Sequence, residues 1–150
     1  MRAGVRLGVD VGRARVGVAR SDPDGLLAVP VATYPRDEAL GSLAELVGEH
    51  QALEVIVGLP VSLSGSETAS TTDARDFASA LADQIAVPVR LVDERLSTVS
   101  AQQMLSRQGT EVKKQRQIID QASAVIILQH SLDQESRTGA APGVAVNQGE

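Results

Sequence analysis

The chain opens with three short apolar runs separated by turn residues. Val5 to Asp10 is mostly apolar and ends in a carboxylate, Gly12 to Ala14 reads as a turn, and Val16 to Ala19 is the second run. Pro23-Asp24-Gly25 signals another turn before a third run, Leu26 to Tyr34. Adjacent strands joined by turns predict an antiparallel meander. The period then lengthens. Leu40, Leu43 and Val47 recur at i, i+3 and i+7, which predicts an amphipathic helix from Asp37 to His50. Val55-Ile56-Val57 is a continuous apolar run, the pattern of a buried parallel strand, and it stops at Gly58-Leu59-Pro60. A Ser/Gly loop from Ser62 to Ser66 comes next, then a helix carrying Phe77, Leu81 and Ile85. Val87 to Val92 is a further strand, ending in Asp93 and Glu94.

Ser97 and Thr98 are good helix caps, and a helix from there to Gln108 is stopped by Gly109. Glu111 to Gln117 is polar and basic. A last helix from Ile118 to Gln134 is apolar over most of its surface and should be largely buried. From Ser136 the chain is rich in Gly, Ala and Pro without periodicity, which predicts a disordered tail over residues 136–150. The order β-β-β-α-β-α-β-α-α predicts an α/β domain over residues 1–135. Its mixed five-stranded sheet would join a meander to parallel strands, with helices on both faces.

Composition narrows the class. The 150 residues suffice for one real core, and no apolar run approaches the length that crosses a bilayer. The N-terminus enters a strand pattern at once and does not read as a secretory leader. With no cysteine there is no disulfide, thiolate metal site or catalytic thiol, and the default setting is cytoplasmic. A net charge of −5 runs against the basic footprint usual for a nucleic-acid binder, although a local basic patch and a bound cation can supply positive field. One Tyr, one Phe and no Trp argue against stacking of bases on aromatic side chains. Nucleic acid bound here would be read through phosphate, sugar and shape.

Three carboxylate positions stand where burial is costly. Asp10 ends the first strand, Asp93 and Glu94 end the strand led by Val87-Pro88-Val89, and Asp120 lies within the apolar run of the last helix. A buried lone carboxylate costs several kcal/mol unless it is paired, protonated or bound to a cation. Strand ends of mixed α/β sheets are where ligands collect. Oxygen donors without imidazole or thiolate nearby suit Mg²⁺ or Mn²⁺, and His50 and His130 lie far off in helical patterns. Each residue has a plainer reading: Asp10 as a turn acceptor, Asp93 or Glu94 as a partner of Arg90 or Arg95, Asp120 as a helix cap. Neighbouring strand residues face opposite ways, so only one of Asp93 and Glu94 should reach a site. Gly12 and Gly17 bracket Arg13 and Arg15 beside Asp10, where guanidinium groups could meet phosphates. The Gly58-Leu59-Pro60 turn and the loop bearing Gly65 could let a backbone approach closely. Lys113, Lys114 and Arg116 form a basic cluster just before Asp120.

These stretches also resemble a known family. Gly8-Val-Asp-Val-Gly-Arg-Ala-Arg-Val-Gly-Val-Ala-Arg-Ser-Asp22, Val57-Gly-Leu-Pro60 with Gly65-Ser-Glu67, Asp93-Glu-Arg-Leu-Ser-Thr98 and Ile119-Asp-Gln-Ala-Ser-Ala124 follow in the order of the YqgF/RuvX family, over about residues 5 to 133. That family is described as Holliday junction resolvases and as nucleases maturing the 5′ end of pre-16S rRNA. The resemblance implies a ribonuclease H-like fold and a divalent-metal nuclease whose acidic residues fall on Asp10, Glu94 and Asp120. It also implies that Arg15 and the Gly58–Pro60 turn border the substrate groove. Ser62 and Ser64 stand where the family often carries Asn and Asp, and Ser100 replaces a Glu that would complete a capping box. The expected partner is structured RNA or branched DNA, and paired cuts in a four-way junction would call for a homodimer. Val9-Asp-Val-Gly12 also resembles the phosphate hairpin of actin-like and sugar-kinase ATPases, which need two such domains where 150 residues supply one. A non-catalytic nucleic-acid-binding module is the remaining alternative.

Overall fold

Six strands and three helices are described in a computed structural model, over residues 1–62, 64–94 and 112–146. In chain order they are β1 (Arg6–Val11), β2 (Arg15–Ser21), β3 (Ala28–Pro35), α1 (Arg36–His50), β4 (Glu54–Leu59), α2 (Ala69–Gln84), β5 (Val89–Asp93), α3 (Val112–Thr138) and β6 (Val144–Ala145). They form one sheet in the order β3-β2-β1-β4-β5-β6. The meander pairs antiparallel, β1, β4 and β5 run parallel, and β6 returns antiparallel to β5. This is the expected mixed α/β architecture with helices packed on it.

The strand alternation sorts large and small residues onto opposite faces. Leu7, Val9, Val16, Val18, Val55, Val57 and Val89 pack with Leu43 and Leu46 of α1 and with Phe77 and Leu81 of α2. The other face is nearly bare. It carries Gly8, Gly17, Ala19, Ile56 and Gly58, and α3 covers it with Ala124, Ile127, Leu128 and Leu132. A Cβ placed on Gly8 would meet the Leu128 Cβ at 2.6 Å and the Ala124 carbonyl at 2.9 Å, and one on Gly17 would collide with the Asp120 carbonyl. Glycine within a strand often marks such an approach by another backbone. Truncating Leu128, which is fully buried, should cost about 2–5 kcal/mol because the helix cannot collapse further onto glycine.

Four sequence expectations change. The sheet has six strands, not five, because Val144–Ala145 pairs with Arg90–Leu91 from within the stretch expected to be a tail. The last helix begins at Val112, taking in the polar and basic stretch, and runs to Thr138. The third strand starts at Ala28: the Asp22 carboxylate accepts the N–H groups of Asp24, Leu26 and Leu27 and bends that stretch into a loop, leaving both leucines exposed. On α1 the buried stripe is Ala39, Leu43 and Leu46, with Leu40 and Val47 at its margin. The helix expected from Ser97 to Gln108 lies outside the described residues. No helix among the described residues is long and apolar enough to cross a membrane.

Where the parallel strands begin, a charged network is buried. Glu54, which starts β4, accepts hydrogen bonds from Arg2 and from Arg90, each at 2.5 Å. Glu135 of α3 accepts from Arg2 and, at 3.0 Å, from the fully buried Arg6. Arg6 also donates to the carbonyls of Arg2 and Gly4. The N-terminal segment is thereby tied to both the sheet and α3.

Candidate active site

Because β1, β4 and β5 are parallel, their C-terminal ends share one edge of the sheet. Asp10 is the penultimate residue of β1 and pairs across to Gly17 of β2. It shares the face of Gly8 and Gly17, so its carboxylate lies on the side covered by α3. Leu59 ends β4 opposite Asp93, and its carbonyl accepts the Glu94 N–H at 3.2 Å. Glu94 turns inward and is 7% exposed, whereas Asp93 is exposed. The carboxylate of Glu94 lies over Gly58: a Cβ there would clash with its Oε2 and come within 2.7 Å of Ile127. What the missing side chain of Gly58 admits is therefore the Glu94 carboxylate.

The electrostatics of this edge are unbalanced. Burial pushes the Asp10 carboxyl up to about 7, and the charge of Asp120 adds to the effect. Burial likewise pushes Glu94 up to about 8, with further contributions from Asp10 and then Asp93. Neither Asp10 nor Glu94 has an ion-pair partner among the described residues, and Glu94 Oε2 is buried without any hydrogen bond. Asp120, in the third turn of α3, differs: Arg15 donates from Nε to its Oδ2 at 2.7 Å.

The other candidates fall around this edge. Arg13 is exposed at the tip of the β1–β2 turn, which closes through the Gly12 N–H and the Arg15 carbonyl at 2.8 Å. Pro60 follows β4, and its carbonyl accepts from the buried Thr71 hydroxyl, which also completes a capping box with Thr68 at the start of α2. Gly65 sits beyond it in a tight turn with φ +88°, a left-handed conformation that favours glycine, and its N–H donates to the Ser62 carbonyl. Lys113, Lys114 and Arg116 lie in the first two turns of α3, whose side chains are outside the description.

Sequence reasoning missed the residues that hold the turns. Arg36 donates to the Gly12 carbonyl at 2.9 Å, forms a two-pronged pair with Asp73 and stacks over Phe77 at 5.1 Å. It thus fastens the β1–β2 turn to α2. No local pattern announces that contact. The glycines did carry a signal, since Gly8 and Gly17 inside strands imply a close backbone neighbour.

Among the described residues no group of three or more acidic or histidine side chains is gathered into a metal-binding cluster. The donors nevertheless fit a hard divalent cation. A half-buried and a buried carboxylate, one oxygen without a hydrogen bond and a third carboxylate close enough to raise Asp10 make a site short of positive charge among the described residues.

Residues 4–134 match the family profile described as RuvX, Holliday junction resolvase. A Clavibacter michiganensis protein named "Putative pre-16S rRNA nuclease" is 55% identical over 150 residues, covering 97% of this chain and 93% of that one. A Nocardioides protein with the same name is 53% identical over 155 residues, covering 99% of each. Among solved structures, Thermus thermophilus RuvC in complex with a Holliday junction substrate gives a TM-score of 0.57 at 16% identity, covering 95% of this chain and 99% of that one. That likeness establishes the ribonuclease H-like fold.

Proposed function

Because this chain belongs to the RuvX family, we propose that it is a divalent-metal-dependent nuclease acting in the cytoplasm, and that its main task is 5′-end processing of pre-16S rRNA. The observation that carries the reading is the half-buried Asp10 and the buried Glu94 at the C-terminal edge of the parallel strands, neither with an ion-pair partner among the described residues. Asp10, Glu94 and Asp120 would hold Mg²⁺ or Mn²⁺. Held there, a divalent cation supplies Lewis acidity, making water acidic enough to attack near neutral pH and taking up charge on the leaving oxygen.

The remaining work belongs to the chain. Asp10, near the end of β1, and Glu94, just past the end of β5, contribute carboxylate oxygens, and Gly58 and Ile127 keep Glu94 pressed into a dry setting. Arg13 and Arg15, on a turn fixed by Arg36, orient substrate phosphates with guanidinium donors. The Pro60 turn, pinned by Thr71, and the Gly65 turn beyond it form the adjoining wall. Lys113, Lys114 and Arg116 draw the phosphate backbone toward Asp120. Resolution of four-way DNA junctions is the second reading, favoured by the family description and by a solved neighbour bound to such a junction.

The test is Mn²⁺-dependent cleavage by wild type and Asp10→Asn, offered a pre-16S rRNA 5′ leader and a four-way DNA junction side by side. Cleavage of the leader that vanishes in the variant is expected. Cleavage of the junction alone would select the second reading. Folded, metal-loaded protein that cuts neither would point to a nucleic-acid-binding module.

A further inference from the structure

Among the described residues, Asp120 has a cationic partner and Asp10 and Glu94 have none. Arg15 opens β2, one strand away from β1, and reaches Asp120 across 105 residues of sequence. The contact uses a single N–H on a single oxygen, half of the fork that a guanidinium can offer a carboxylate. The two terminal nitrogens of Arg15 bond no described residue, and its side chain is 36% exposed against 15% for Asp120. The backbone beneath is fixed, because the Asp120 main chain rests on Gly17, the cross-strand neighbour of Asp10. Side-chain rotation, without helix movement, therefore decides which neighbour the Asp120 carboxylate serves.

We infer that Arg15 is a resident counter-ion: it holds Asp120 in the metal-free protein, yields it when a divalent cation binds, and turns its freed guanidinium to a substrate phosphate. This rests on the nuclease reading above. A partly exposed ion pair is worth about fivefold in an equilibrium at most, weak enough to be surrendered to a doubly charged ion. The exchange also couples two ligands. A phosphate that draws Arg15 away leaves Asp120 open to the cation, so each ligand tightens the binding of the other.

The experiment is a Mn²⁺ titration of the full chain without nucleic acid, followed by the electron paramagnetic resonance signal of free Mn²⁺, with folding of each variant checked by thermal melting. Arg15→Gln should bind Mn²⁺ on the order of fivefold more tightly than wild type. Arg13→Gln removes the same charge from the same turn without touching Asp120, and should gain much less. The Arg15→Gln gain should disappear when Asp120→Asn is already present. Arg15→Lys should fall between wild type and Arg15→Gln, and it carries the test against Arg13→Gln if the glutamine variant does not fold. No gain for Arg15→Gln, an equal gain for Arg13→Gln, or a gain that survives Asp120→Asn would overturn the inference. If wild type binds Mn²⁺ and Asp10→Asn abolishes it, such a result leaves the metal reading intact. If wild type binds none, both fall.

Discussion

Buried carboxylates occur at both ends of the parallel strands, and the two ends treat them in opposite ways. Where the strands begin, Glu54 and Glu135 are each met by two arginines, and only 1% of the Glu54 side chain is exposed. Where the strands end, Asp10 feels the charge of Asp120 and Glu94 that of Asp10, with no cation on Asp10 or Glu94 among the described residues. The first arrangement offsets the cost of burying charge; the second leaves it standing. Burial by itself therefore does not mark a functional carboxylate. Burial without a partner, repeated at one edge, does.

The largest effect should come from breaking the paired end. Glu54→Ala leaves Arg90 and one side of Arg2 uncompensated and should cost about 3 kcal/mol in urea denaturation. The same measurement on the unpaired end should change sign. In metal-free protein at pH 8, Asp10→Asn or Glu94→Gln should stabilise the fold by about 1–2 kcal/mol, since each removes a poorly solvated charge that no described residue balances. A loss of stability in both variants would mean that these carboxylates are satisfied in the folded state.

Acid should separate the two ends as well. Burial pushes Glu135 up, but the hydrogen bond from Arg2 and the charges of Arg2 and Arg6 more than reverse this and hold it below its ordinary 4.5. A carboxyl held low adds stability above its unfolded value and loses it as pH falls through the folded one, so this contribution fades only below about pH 4.5. Asp10 and Glu94 act in reverse. Their folded values of about 7 and about 8 lie above the ordinary 3.8 and 4.5, so folding takes up protons between those limits. Their share of the stability should fall as pH rises from about 5 to about 8, and urea midpoints in chelator should lose that slope in Asp10→Asn/Glu94→Gln. The smallest effect marks the surface. Glu67 and Arg75 pair at 2.9 Å with both side chains about half exposed, and Glu67→Gln should shift stability by less than about 0.5 kcal/mol.

What the sequence made legible was local. Period and turn chemistry located β1, β2, β4 and β5 and predicted a mixed sheet, because those signals lie within a few residues of each other. A two-residue edge strand such as Val144–Ala145 carries no period, so β6 was invisible. The start of α3 at Val112 was hidden because its first turns are polar. At the site, strand alternation stated the choice between Asp93 and Glu94 without making it, and burial places Glu94 inward. The ion pairs were illegible for a plainer reason: Arg15 and Asp120 are 105 residues apart, and Arg6 and Glu135 are 129 apart. Only the folded register brings them together.

The contact between Gly17 and the main chain of Asp120 limits what heredity can repair. A side-chain clash can be relieved by trimming its partner, but here the obstacle is a carbonyl that every amino acid carries. A compensating change for Gly17→Ala would have to shift α3 itself, and that shift would carry Asp120 away from Asp10. Selection for restored folding at this position should therefore return revertants to glycine, or folded proteins with an altered site, and no second-site suppressor that recovers both.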